Sequence, residues 1–253
     1  VNQKYSHPKP FDASEMYDFN YDEHIKECLS LVKKRRVNFK DKDEIIVSSM
    51  DGNIDLSPCI GIYTEASFFR GYSIDTAIKF AEIIDGERVL TFKDDATLEQ
   101  KILGLVSFTT RQNRYIWQVR PPFLTESQKT LIHKRLSSKF TPEEKVQGNC
   151  RIVFHDKNNT PYEIHGICDV IKNDHVYELK FTSALSDQHV LQTAFYVCAM
   201  GYKSGYLWNI KTNEAYQIMV PDRKAFLQAT VKSITKGNVK KVDGFLRSKR
   251  EDE

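Results

Sequence analysis

Two strand-like runs joined by three residues constrain this chain more than any other feature. Tyr162 to Ile171 and His175 to Thr182 are rich in strand-forming residues, and Lys172-Asn173-Asp174 between them suits only a tight turn. The runs are therefore expected to lie side by side as a hairpin. Side chains alternate faces along a strand, so Glu178 and Lys180 share one face while Leu179 and Phe181 take the other. Asp169 falls near the end of the first run, three residues after Gly166. Plain burial would favour apolar residues at 178 and 180, because isolated buried charges are costly. A carboxylate and an ammonium two residues apart, opposite a second carboxylate, suit a different purpose. The carboxylates can hold a divalent cation while the amine reaches a water or a phosphate. A bare Glu-x-Lys triplet is also what a surface ion pair on an edge hairpin looks like, so the weight rests on the whole pattern Asp-x8-Glu-x-Lys.

The neighbouring segments read clearly. Thr125-Glu126-Ser127-Gln128 starts a helix carried to about residue 139 by Leu131, Ile132 and Leu136. Asn149 to His155 reads as a strand, followed by the turn-rich loop 156–161. Ser186 to Gly201 reads as a helix with Val190, Leu191, Ala194, Phe195, Val197 and Cys198 turned inward. Gly205 to Ile210 and Ala215 to Val220 form a second hairpin, and Pro221-Asp222 opens a last helix to about residue 236.

On the helix after the first hairpin, Gln192 and Tyr196 are four apart and share a face. Taken with Gly166-x-x-Asp169 and Glu178-x-Lys180 followed by Phe181-Thr182-Ser183, they make residues 125 to 220 resemble the PD-(D/E)xK nuclease superfamily, in particular its RecB-like exonuclease branch. Cys168 stands where the superfamily name has proline. The resemblance implies an α/β fold with a restriction-endonuclease-like core, a mixed central sheet flanked by helices. It implies a magnesium or manganese site formed by Asp169, Glu178 and the backbone carbonyl of Leu179, with Lys180 orienting the attacking water. Gln192 and Tyr196 would contact DNA or Lys180. The branch often takes a further ligand from the first core helix, where His133 is the candidate; Glu143, Glu144 and His165 compete with it. Lys134 and Arg135 beside it are expected along the nucleic-acid path. The cysteine set that holds an iron–sulfur cluster in some relatives is missing, so no cluster is expected. The implied activity is hydrolysis of DNA phosphodiester bonds at ends, single strands or flaps, in replication, repair or recombination, within a larger complex or alone. The order His, Asp, Glu-x-Lys also resembles cap-snatching endonucleases that cut RNA. A non-catalytic nucleic-acid-binding module with the nuclease fold is a third reading, against which the intact Asp, Glu and Lys speak.

Before residue 121 the sequence assigns no role. Residues 1–120 are expected to form an additional N-terminal α/β region, 121–239 the nuclease core and 240–253 a charged, frayed tail. The first dozen residues read as an arm. Residues 21–36 read as a helix ending in the basic run Lys33-Lys34-Arg35-Arg36. Strands are expected at 44–49, 59–64, 88–92 and 115–119, with a turn at Met50-Asp51-Gly52-Asn53. Helices are expected at 97–106 and at 73–85, the latter with Ser73 as cap and an apolar stripe of Ile74, Ala77, Ile78, Ala81 and Ile84. Trp117 and Trp208 are expected in the core. Phe68-Phe69-Arg70-Gly71-Tyr72 reads as core or interface, with stacking on single-stranded bases as the other reading.

Composition sets outer bounds. The 253 residues carry 37 Lys+Arg against 34 Asp+Glu, a formal charge of +3, so any basic track for DNA must be local. No apolar run approaches the ~18–20 residues of a membrane span, and no membrane partner is expected. No secretory signal is visible. The five cysteines are scattered without a CxxC, as suits reduced thiols in an intracellular protein; cytoplasm, nucleus and mitochondrion stay open. Neither a G-x-x-x-x-G-K-[ST] nor a G-x-S-x-G motif occurs, which removes an ATP-driven motor and a serine hydrolase elbow.

Overall fold

The computed structural model describes residues 9–12, 22–39, 41, 43–47, 53–237, 239 and 245–247. The chain runs β1 (Lys9–Asp12), α1 (Asp22–Ser30), β2 (Lys33–Val37), α2 (Ser57–Phe68), α3 (Ile74–Asp85), α4 (Leu98–Thr110), α5 (Arg114–Trp117) and α6 (Glu126–Ser137). It continues with β3 (Lys145–His155), β4 (Pro161–Lys172), β5 (His175–Lys180), α7 (Asp187–Met200), β6 (Ser204–Asn209), β7 (Glu214–Met219), α8 (Arg223–Ile234) and β8 (Phe245–Arg247). The fold is α/β: a mixed sheet flanked by helices. Strand order is β2-β7-β6-β5-β4-β3-β8, with β1 beside β4. The hairpins β3–β4, β4–β5 and β6–β7 are antiparallel, whereas β5 and β6 are parallel because α7 carries the chain back between them.

Alternation along the central strands feeds two cores. One face of the sheet offers Cys150, Ile152, Ile164, Val176, Leu207 and Ile218 to α1, α7 and α8. The other offers Val170, Leu179, Trp208 and Ala215 to α2, α4 and α6. Helix ends follow local chemistry. Thr97, Thr125 and Ser186 each close a capping box at the start of α4, α6 and α7. Gly201, at φ 73°, ends α7 in the left-handed conformation. Gly205 allows α7 to lie close on β6, since a Cβ there would sit 2.7 Å from Val176 Cγ2 and 2.9 Å from Thr193 Cγ2 and Val197 Cγ2.

The described residues before 121 share the sheet and the core of the rest of the chain. β1 and β2 join the common sheet, and α2 and α4 share a core with α6 and the sheet. Several local expectations change with this. Residues 59–64 lie in helix α2, where Pro58 sits in the first turn; a short run that is apolar without alternation does not distinguish a buried strand from a buried helix. Helix α1 ends at Ser30, and Lys33–Arg36 belongs to edge strand β2 with all four side chains exposed. Charged side chains suit an edge, where they discourage pairing with another sheet. Residues 43–47 form no strand, although Ile45 is buried and its N–H donates to the Lys211 carbonyl at 2.9 Å. Residues 88–92 are irregular and 114–117 form the single turn α5. Trp208 is core, but Trp117 is 75% exposed. In the expected stripe of α3 only Ile78 is buried, and Ile84 is exposed. Phe68 and Phe69 are buried core residues. Within the expected tail, Phe245–Arg247 pairs with β3. Residues 1–8 of the expected arm, residues 48–52 and the remainder of the tail lie outside the described residues. All five cysteines are buried. Among the described residues no helix is long and apolar enough to cross a membrane.

The close approach at Gly205 gives a stability test. Gly205→Ala places a methyl group against three side chains and is expected to cost about 1–3 kcal/mol. Thermal unfolding followed by circular dichroism should show the melting temperature lowered by roughly 2–10 °C.

Candidate active site

The β4–β5 hairpin opens as it leaves its turn. The strands pair at Lys172↔His175, Ile171↔Val176 and Val170↔Tyr177, and there the ladder stops. Beyond it β5 stays with β6 as far as Lys180↔Asn209. The vacated edge of β4 is taken by β1, but only along Tyr162–His165. Among the described residues, Gly166–Asp169 therefore faces a gap. Asp169 spans it: its Oδ2 accepts the Leu179 N–H at 2.6 Å, where a ladder bond would otherwise lie. The N–H and C=O of one strand residue point the same way, so the Leu179 carbonyl faces the same gap.

The other edge of β4 changes at the same level. The β3–β4 register runs unbroken except that Gln147 and Asp169, which stand opposite each other, do not pair. Gln147 has φ 53°, in the left-handed region. On either side of this point the strands exchange faces. Cys168 belongs to the core under α7, Val170 to the core under α2, and Ile171 again to the core under α7.

Charges from three elements meet here. Glu178 and Lys180 come from β5, their side chains 2.7 Å apart, with the Glu178 side chain only 3% exposed. Asp169 comes from β4. The third carboxylate is Glu65 of α2, whose Oε2 accepts a hydrogen bond from Gln147 Nε2 at 2.7 Å. Burial, then the charge of Glu178, pushes Glu65 up to about 8, against the opposing pull of Gln147 and Lys180. Burial, then the charges of Glu178 and Glu65, holds Asp169 well above the usual carboxylate range. Burial also raises Glu178, although Lys180 opposes it. For Lys180, burial works to lower the ammonium, but Glu178, Asp169 and Glu65 together hold it above its usual value. Tyr72, just beyond α2, is raised by burial and then by the charges of Glu65 and Asp169.

The remaining sequence candidates fall in different places. Gln192 Nε2 donates to the Tyr196 hydroxyl at 2.9 Å, and Tyr196 is 2% exposed in the core under α7. Burial and then the nearby Glu178 charge raise its hydroxyl. Tyr196 thus backs Glu178 from inside, and Gln192 is the partly exposed member of the pair. His133 turns to α2: its Nε2 lies 3.1 Å from Ser67 Oγ and its ring meets Phe68 edge-on. The residue that α2 itself sends to the gap is Glu65. Glu143 pairs with Arg70 at 2.9 Å and Glu144 with Lys172 at 2.8 Å. His165 is exposed four residues along β4, and Lys134 is exposed on α6. Arg135 is buried and committed to the fold. It bonds the Asp41 carboxylate and the carbonyls of Asp43, Ile210 and Lys211, so its guanidinium is withdrawn from any nucleic-acid path. Glu65, Gln147 and Tyr72 carry no sequence signal that joins them to the hairpin. The only local hint is an acidic residue inside the apolar run of α2.

Among the described residues no group of three or more His, Cys, Asp or Glu is arranged to hold a metal ion by itself. Magnesium does not need one, because it retains waters and takes few carboxylates together with substrate phosphate. The donor set fits such a hard cation. Glu178 Oε2 is buried with no hydrogen-bond partner, an expensive state for a carboxylate oxygen. Carboxyl groups that raise one another's proton affinity are also those a divalent cation stabilises in the charged form.

No protein family model matches the chain, and no curated protein matches it. A solved structure described as the crystal structure of SSO0001 aligns with 67% of this chain and 88% of that one, at 16% identity and a TM-score of 0.38. Likeness at that level says nothing of the chemistry.

Two outcomes follow from the geometry. Arg135→Ala removes a donor from three carbonyls and the Asp41 carboxylate, and is expected to cost roughly 2–3 kcal/mol in equilibrium urea denaturation. The raised Glu65 makes a pH statement. A carboxyl raised on folding favours the fold while protonated, so its stabilising contribution is complete below its unfolded value and is lost as pH rises through about 8. In chelator, Glu65→Gln should melt close to the parental protein near pH 5 and increasingly above it toward pH 8–9. A difference in melting temperature that does not change with pH would contradict the assignment.

Proposed function

We propose that this chain is a metal-dependent nuclease of the PD-(D/E)xK type, with a restriction-endonuclease-like core, acting on DNA ends, single strands or flaps. One observation carries the reading: Asp169, Glu178 and Lys180 meet where β4 and β5 part, with the Leu179 backbone between them and a buried Glu178 oxygen left without a partner. Asp169, Glu178 and the Leu179 carbonyl are the groups that would hold magnesium or manganese, and Glu65, whose charge acts on Asp169, is the candidate to join them. A bound divalent ion supplies charge against the phosphate and acidifies a water.

The remaining chemistry belongs to the side chains. Lys180 keeps its proton, so it donates hydrogen bonds and offsets charge building on the phosphate. Its bond to Glu178 fixes the ammonium beside the carboxylate. Tyr196, tied to Gln192, stiffens the wall behind Glu178. Gln192 is the group of that pair able to meet a substrate.

The test is digestion of end-labelled linear, flapped and circular DNA, and of matched RNA, in magnesium. Asp169→Asn, Glu178→Gln and Lys180→Ala are each expected to lower cleavage at least about 100-fold while the melting curve stays cooperative. Parental rates from Lys180→Ala sink the mechanism. Cleavage of the RNA strand alone changes the substrate class.

A further inference from the structure

We infer that Gln147 is a positioning residue for the metal site: its side-chain amide holds Glu65 at the gap between β4 and β5, and the strained backbone of Gln147 serves that placement. The inference rests on the nuclease reading only in taking Glu65 as a carboxylate that serves the cation.

The backbone comes first. A non-glycine residue at φ 53° costs free energy that glycine would not. Nothing in the register demands this cost. β3 and β4 keep one register on both sides, so the left-handed residue neither inserts a residue nor shifts the ladder. What it does is break one pair, the one containing Asp169, and exchange the faces of the strand. Gly148 then follows in close contact, where a Cβ would fall 2.4 Å from Ile171 Cδ1 and 2.8 Å from Cys168 Sγ. Ahead of it, Val146 packs in the core under α2 and lies 3.0 Å from where a Cβ on Gly71 would stand. The conformation is held from both sides.

The side chain gives the conformation its use. Gln147 Nε2 donates to Glu65 Oε2 at 2.7 Å, bridging β3 to α2 across the level of Asp169. Glu65 is the carboxylate of the cluster that comes from a helix, and this is its hydrogen bond to the sheet. Without it the flexible Glu65 side chain has no bond to oppose repulsion from Glu178 and Asp169. A neutral amide suits the position. It donates to the Glu65 carboxyl without bringing a positive charge to the site, as a lysine would, so nothing at this position repels an incoming cation. Residues that orient a ligand in this way commonly cost about tenfold or more in metal affinity when removed.

Binding, not cleavage, is the measurement. Manganese is titrated calorimetrically into the full chain for the parental protein, Gln147→Met, Gln147→Gly, Glu65→Ala and the Glu65→Ala/Gln147→Met double variant. Gln147→Met keeps the size and loses the donor. Gln147→Gly loses the donor and relieves the left-handed backbone, so its melting temperature should not fall. Both are expected to bind manganese about tenfold more weakly than the parental protein. The double variant should bind no more weakly than Glu65→Ala alone, because the amide acts only through that carboxylate. A purely structural Gln147 would instead show unchanged affinity in Gln147→Gly, or losses that add in the double variant. Either result overturns the inference, as does failure of the parental protein to bind manganese. Binding that follows this pattern in a protein that cuts no nucleic acid supports the role of Gln147 and rejects the nuclease reading.

Discussion

The structure turns on the parting of two strands. A hairpin strand that also pairs in parallel with a second neighbour is pulled toward both. β5 resolves the conflict by leaving β4 after three pairs and staying with β6. The backbone polar groups released at the gap need partners, and Asp169 supplies one by accepting the Leu179 N–H. A carboxylate in place of a ladder bond is thus part of the sheet as much as part of the site. That double duty places Asp169 with a precision that a flexible surface residue would lack.

Around the gap the protein concentrates what cores normally avoid. Three carboxylates and one ammonium share a largely buried space. Burial raises all three carboxyl groups above their ordinary values, and the uncompensated charge of the neighbouring carboxylates adds to this at Glu65 and Asp169. Glu178 shows the mismatch most plainly, with one oxygen on Lys180 and the other unsatisfied. The surrounding layers absorb the cost. Helix α7 covers one face with a nearly continuous apolar surface, and α2, α4 and α6 cover the other. Arg135 ties the segment around Asp41 and Asp43 to the end of β6, locking the N-terminal segment onto the same body.

The legible part of the sequence was the part whose signals are local. The capping boxes at Thr125 and Ser186 stand within four residues of the helices they start, and the Lys172-Asn173-Asp174 turn leaves a hairpin little choice. Asp169, Glu178 and Lys180 could be brought together on paper because they lie on one such hairpin. Helix α2 was harder. Its run Cys59–Thr64 is apolar on all sides and carries no period to read, and it was expected as a strand. The basic run at Lys33–Arg36 has helix-ending chemistry but forms an edge strand, because pairing with β7 across 182 residues decides its conformation. His133 was the nearest helix residue by sequence; Glu65 reaches the gap from a helix that the sequence alone did not reveal.

By itself the sequence determined the hairpin, the helix that follows it and the shared face of Glu178 and Lys180, because turn chemistry, capping and alternation act over a few residues. Only the tertiary structure decided that β5 abandons β4, that Glu65 enters from α2, that Gln147 adopts a left-handed backbone opposite Asp169, and that Arg135 is withdrawn into the core. Each of these depends on pairing or packing between segments that are not local in sequence, 82 residues apart for Gln147 and Glu65 and 75 for Arg135 and Ile210. No local pattern records the outcome of that competition.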